Sequence, residues 1–137
     1  MSAYEGDLTP QEAWDLLASN PDAVLVDVRT EAEWRFVGVP DTGSVGRKPV
    51  FVEWQAYPGG DLNTHFTAEL KAAGVGPGAP VIMICRSGQR SIAAAIEATD
   101  AGLGPCYNVL EGFEGAPDDE GHRGWEGWKA AGLPWRQ

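Results

Sequence analysis

The residues best suited to covalent chemistry lie in one short run, Val81-Ile82-Met83-Ile84-Cys85-Arg86-Ser87-Gly88-Gln89-Arg90-Ser91. Four apolar residues of strand type end on Cys85, a polar loop follows, and a helix is expected to begin near Arg90 or Ser91. A thiolate is the nucleophilic form of cysteine, and it is favoured beside basic groups and at helix N-termini. The helix offers unpaired N–H groups and the positive end of its dipole. Together with Arg86 and Arg90 these form an anion cradle around Cys85. Gly88 lets the backbone turn closely about the sulfur. Cys85 is therefore the expected catalytic residue, and Arg86, Ser87, Gly88, Gln89 and Arg90 are the expected substrate-binding residues. The competing reading is a small core thiol. It does not account for Arg-Ser-Gly-Gln-Arg directly after it, because two guanidiniums are costly to bury.

The other chemistry-bearing residues read differently. Cys106 opens a strand with no basic neighbour, so it is expected to be a packed thiol, with a role as resolving partner of Cys85 as the lesser reading. His65 and His122 lie in polar stretches, match no triad or metal spacing, and are expected at the surface. Asp27 and Arg29 flank Val28 at the end of another strand. They are expected to neutralise each other and fix the loop there, with a place facing the site as the lesser reading. None of the six Trp marks a cofactor, and no glycine-rich phosphate loop or dinucleotide fingerprint is present, so no cofactor is implied.

Elements that position Cys85 follow from pattern. Thr9-Pro10-Gln11-Glu12 is a capping box with proline in the first turn. Ala13, Leu16 and Leu17 continue at helical spacing until Asn20-Pro21. Ala23–Val28 is a continuous apolar run, the signature of a strand buried on both faces in a parallel sheet. Thr30-Glu31-Ala32-Glu33 repeats the capping box and opens a short helix that must stop before Pro40. Asp41–Lys48 reads as loop, Val50–Trp54 as strand, Tyr57–Gly60 as turn, and Phe66–Ala73 as a helix ended by Gly74. Val81–Ile84 is a strand, Ser91–Ala101 a helix closed by Gly102, and Cys106–Leu110 a buried strand. Glu111–Gly124 reads as acidic loop and Trp125–Ala131 as a last helix stopped by Gly132 and Pro134. This strand–helix alternation is the α/β signature. In such sheets ligands bind beyond the carboxyl ends of the strands, where Cys85 stands.

Composition bounds the rest. The 137 residues suit a single domain spanning 1–137, and 43% hydrophobic content rules out disorder for the bulk of the chain. Ten Lys and Arg against twenty Asp and Glu leave a net charge of -10, which argues against nucleic-acid partners and anionic membrane surfaces. Two cysteines are too few for a disulfide scaffold and fit a reducing compartment. The longest apolar stretch, Val81–Cys85, is far below the roughly 20 residues of a membrane span. The first residues lack a basic start and an apolar core, so no signal peptide is read and a cytoplasmic protein is expected.

With these residues in place, the chain resembles the rhodanese family of single-domain sulfurtransferases from Leu8 to Trp135. The likeness rests on Leu8–Glu12, Val26-Asp27-Val28-Arg29 with Glu33-Trp34, the Cys85–Arg90 loop, Asn108–Gly112 and Ala131–Trp135, in this order and spacing. It implies a central parallel sheet of about five strands with helices on both faces. It also implies that Cys85 carries sulfur as a persulfide. A small anionic donor such as thiosulfate would load Cys85, and cyanide, a thiol or a protein thiol would unload it. Arg86 and Arg90 would attract the donor, and the amides from Arg86 to Arg90 would stabilise the persulfide charge. Two departures stand out. Val37–Thr42 keeps only the proline and an aliphatic of the family's usual run at this point. The Phe113–Arg123 segment is longer and more acidic than usual, which suits a site rim or a partner surface.

Two other functions use similar parts. A thiolate phosphatase or arsenate reductase needs five residues between Cys and Arg to surround a tetrahedral oxyanion. Here four intervene, and Ser91 stands where that Arg would fall. A non-catalytic module, or a sulfur carrier serving one protein partner, is the remaining alternative, although inactive relatives usually lack the Cys.

Overall fold

Two capping boxes set the first two helices. The computed structural model describes residues 3–56 and 58–137, so Tyr57 of the expected turn lies outside the described residues. Thr9 accepts from the Glu12 amide, and the Glu12 carboxylate accepts from the Thr9 amide, starting helix α1 (Pro10–Ser19). Thr30 and Glu33 repeat the arrangement at helix α2 (Glu31–Phe36). Each box satisfies two N–H groups that a helix start would leave unpaired.

Five strands form one parallel sheet: β1 (Gly6–Leu8), β2 (Val24–Asp27), β4 (Val50–Phe51), β5 (Pro77–Ile84) and β6 (Gly104–Val109), in the order β1-β6-β5-β2-β4. A separate antiparallel pair joins β3 (Val39–Pro40) to β7 (Trp135–Arg136). Helices α3 (Phe66–Ala72) and α4 (Gln89–Asp100) complete the regular elements, with a 3-10 turn at Gly43–Val45.

Alternation along the central strands divides the core into two layers. Val26, Val81 and Met83 pack with Phe66, Leu70, Ala94, Ala95 and Ala98, which places α3 and α4 on one face. Leu25, Ile82 and Ile84 point the other way, onto Ala13 and Leu17 of α1 and onto Phe113 and Trp128. Both faces are covered, which is why these strands read as unbroken apolar runs. The fold is the parallel α/β sheet with helices on both faces expected from the sequence.

The C-terminal segment departs from expectation. Trp125–Ala131 forms bends and turns rather than a helix. Gly124, Gly127 and Gly132 take φ of 100°, 98° and 78°, which interrupts any helix through them. A Cβ on Gly127 would lie 2.9 Å from both Gly112 O and Gly115 N, so the turn is pressed against its neighbour. What anchors the segment is Trp128, fully buried, with its indole N–H donating to Pro134 O at 2.8 Å. Strand β1 was not apparent because Gly6-Asp7-Leu8 is short and polar, as suits an edge strand. The strand read at Val50–Trp54 is confined to Val50–Phe51, and β5 starts four residues earlier than read, at Pro77. Among the described residues, no helix is long and apolar enough to cross a membrane.

Candidate active site

Parallel pairing brings one end of the sheet to a point beside Cys85. Strand β5 ends at Ile84, Cys85 follows, and α4 begins at Gln89. Gly88 is the N-cap of α4 with φ 106°, a left-handed conformation that turns its N–H back onto the sulfur. The Gly88 N–H donates to Cys85 Sγ at 3.1 Å, and the Ser91 hydroxyl lies 3.2 Å from the same atom. Cys85 is 1% exposed and its residue packs with the apolar layer under α4, yet its sulfur faces polar groups. No side chain caps α4, so the first-turn amides remain open toward the loop.

The segment after β6 braces this loop from outside. Phe113 N–H donates to Cys85 O at 2.8 Å, and Glu114 and Gly115 amides donate to Arg86 O at 3.0 and 3.1 Å. Gly112 makes this approach with φ 63°, and a Cβ there would lie 2.5 Å from Cys85 O and 2.6 Å from Arg86 O. Only glycine fits without moving the loop.

Both loop arginines have carboxylate partners. Arg90 grips Glu33 of α2 with both terminal nitrogens, at 2.7 and 2.9 Å, and the two side chains are 23% and 20% exposed. This fork geometry is the strong form of the pair. Burial alone would raise the Glu33 pKa, but the hydrogen bonds and charge of Arg90 outweigh it and hold that carboxyl below its ordinary value. The Arg90 pKa is raised, chiefly by its bonds to Glu33. Arg86 pairs with Glu114 at 3.0 Å, but its side chain is 44% exposed, so this link is the looser of the two. Ser87 is half-buried and Gln89 exposed on the loop.

Asp27 and Arg29 behave as the self-neutralising pair expected of them. They are wholly buried and joined at 2.7 Å, and Arg29 also donates to Gly38 O while its guanidinium sits 4.3 Å from the Phe113 ring centre. That arrangement ties β2 to the bracing segment. Cys106 is also buried, and its thiol donates to Leu103 O at 3.4 Å. It stands opposite Val81 in the β5–β6 register, so Cys85 lies four residues further along, about 13 Å away. A disulfide needs Cα atoms within about 4.4–6.8 Å. The resolving role is therefore closed to Cys106 in this fold. His65 and His122 are exposed. Among the described residues, no group of three His, Cys, Asp or Glu is placed to hold a metal ion.

A family model described as the rhodanese-like domain matches residues 9–116. The chain belongs to the rhodanese-like family. Proteins of Rickettsia conorii and Rickettsia prowazekii, both described as uncharacterised, are 40% and 36% identical over 126 residues. Each alignment covers 91% of this chain and 92% of the relative. Among solved structures, the crystal structure of Rv0390 from M. tuberculosis superposes with a TM-score of 0.91 at 60% identity, covering 98% of both chains. The solution structure of the polysulfide-sulfur transferase homodimer from Wolinella succinogenes gives 0.63 at 25% identity, over 95% of this chain and 77% of that one.

Within this rhodanese-like fold, the sequence motifs converge. The Glu33-Trp34 and Asn108–Gly112 runs both meet the Cys85–Arg90 loop, Glu33 on Arg90 and Gly112 against Cys85 O. Sequence reasoning missed Glu33 and Glu114 as partners of Arg90 and Arg86, Asn108 as the partner of Ser91, and Asp7 as the partner of Asn108. Glu33 and Arg90 are 57 residues apart, and nothing in spacing announces such a contact. The long acidic segment does reach the rim, through Glu114. Beyond it, Asp118 accepts from the Glu120 and His122 amides and closes the loop on itself.

Proposed function

We propose that this chain is a sulfurtransferase that carries a sulfane sulfur on Cys85. The observation that carries this reading is the Gly88 N–H at 3.1 Å from Sγ, at the uncapped start of a twelve-residue helix. In the first step the Cys85 thiolate attacks the outer sulfur of thiosulfate. The Sγ–S bond forms, the S–S bond of thiosulfate breaks, and its electron pair leaves with sulfite. In the second, cyanide or a thiolate attacks the outer persulfide sulfur, and the electrons of that bond return to Cys85. The charge on the outer sulfur falls within reach of the α4 amides, which act as a fixed anion site.

The two arginines take different parts. Arg90, engaged by Glu33 through both terminal nitrogens, holds the loop in shape rather than reaching for a donor. Arg86 is exposed and held by a single rim ion pair of the kind worth about 0–1 kcal/mol, so it is free to turn toward an arriving anion. A polysulfide anion offers the same transferable sulfur, and the polysulfide-sulfur transferase neighbour makes it the second donor to test. An oxyanion-hydrolysing role fits less well, because that chemistry needs the loop arginine on the substrate and Arg90 is turned to Glu33.

The experiment is thiocyanate formation from thiosulfate, then from polysulfide, with cyanide as acceptor. Turnover that vanishes in Cys85→Ser is expected, with no hydrolysis of a generic phosphate ester. Equal rates in wild type and Cys85→Ser, or no thiocyanate from either donor, would overturn the proposal.

A further inference from the structure

A chain of polar contacts runs from the sulfur of Cys85 to the protein surface. Ser91 Oγ lies 3.2 Å from Cys85 Sγ and 2.5 Å from Asn108 Oδ1. Asn108 Nδ2 donates to Asp7 Oδ1 at 3.1 Å, and the Tyr4 hydroxyl donates to the same oxygen at 2.9 Å. Ser91 and Asn108 are buried, whereas Asp7 is exposed. Asp7 and Asn108 are direct partners in the β1–β6 register, so the backbone itself places the carboxylate against the amide.

The direction of each bond follows from donor and acceptor inventory. A carboxylate only accepts, so the Asn108 amide must turn its NH2 toward Asp7 and its carbonyl oxygen toward Ser91. The opposite flip would set two acceptors face to face at Asp7. A hydroxyl has one proton, and Ser91 must spend it on Asn108 Oδ1. Ser91 then shows the sulfur only lone pairs, which suit an S–H donor and repel a thiolate. For Ser91 to donate to Sγ, its hydroxyl must leave Asn108.

We propose that Asp7 is a positioning residue: by fixing the Asn108 amide it keeps the Ser91 hydroxyl proton turned from Cys85 Sγ and so limits the reactivity of that sulfur. This inference deepens the reading of Cys85 as the sulfur carrier, and it rests on that reading for its place in the reaction. Ser91 touches the reacting sulfur, while Asn108 and Asp7 act through it. When the restraint is broken, the hydroxyl becomes a second donor to the sulfur beside the Gly88 N–H.

The test is the Asp7→Asn variant, an exposed substitution that keeps the side-chain shape. An asparagine at this position can donate to Asn108 Oδ1, letting that amide flip and give its N–H to Ser91. The Ser91 proton is then released to the sulfur. The rate of iodoacetamide alkylation at Cys85, followed at neutral pH on the Cys85 peptide by mass spectrometry, is expected to rise about fivefold, the equivalent of one ordinary hydrogen bond. In a Ser91→Ala background the same change is expected to leave the rate unaltered. An unchanged rate in Asp7→Asn would overturn the proposal. So would an equal rise in both backgrounds, because that outcome assigns the effect to lost charge alone. Alkylation needs no sulfur transfer, so this result and the thiocyanate assay fail independently.

Discussion

Cys85 and Cys106 are equally buried, at 1% exposure each, and lie on neighbouring segments of the same sheet. Their surroundings differ at opposite strand ends. At the carboxyl end of β5, the Cys85 sulfur receives an amide N–H at the start of α4 and faces a serine hydroxyl. Near the amino end of β6, the Cys106 thiol donates to a carbonyl, and burial raises its pKa against the opposing hydrogen bond of Thr99. One sulfur receives a backbone N–H at a helix start, and the other gives its proton to a backbone carbonyl. Burial alone does not decide cysteine chemistry; the groups aimed at the sulfur do.

The largest expected contrast comes from replacing each sulfur in turn. Cys85→Ser is expected to lower thiocyanate formation at least about a thousandfold, as loss of a covalent nucleophile does. Cys106→Ala is expected to keep the activity and lose roughly 1 kcal/mol of stability from the vacated space, read by denaturant unfolding. Comparable activity losses in the two would erase the distinction between them.

Next is the brace that holds only the Cys85 end. Gly112→Ala forces a methyl group to 2.5 Å from Cys85 O at a left-handed φ of 63°. A stability loss of about 1–3 kcal/mol is expected, with a fall in turnover. The matching change at Gly102, also left-handed but with open space around its Cβ position, should cost less stability and spare turnover.

Glu33→Gln is expected to cost roughly 1–3 kcal/mol, because Arg90 loses its charged partner in a half-buried place. The pH dependence carries a sign. Glu33 is held below its ordinary pKa of 4.5, so its contribution is present above that value and is lost as pH falls through the depressed folded value. The gap in unfolding midpoint between wild type and variant should therefore close as the pH drops below 4.5, and a gap independent of pH would contradict the pairing. The smallest effect belongs to Thr30→Ala, which removes the cap that starts the Glu33 helix and should cost about 1 kcal/mol.

Much of this arrangement is legible in the sequence because local chemistry dictates it. Capping boxes at Thr9 and Thr30, the apolar runs of β2 and β5, and glycine at position 88 all act within a few residues. Contacts that join distant segments were not legible. Glu33 meets Arg90, and Asp7 meets Asn108, only because strand order brings β2 beside β5 and β1 beside β6. The segment from Trp125 to Ala131 misled for a related reason. Its composition suits a helix, but Gly127 and the buried Trp128 serve the brace around Gly112. Tertiary packing there overrides helix propensity.

The central claim, that Cys85 and not Cys106 carries the sulfur, is tested most directly by locating it. The protein is incubated with thiosulfate, its intact mass is measured, and the modified peptide is identified before and after cyanide. The account predicts one added sulfur atom, on the Cys85 peptide, removed by cyanide and absent in Cys85→Ser. Sulfur found on the Cys106 peptide, or still gained by Cys85→Ser, would contradict it.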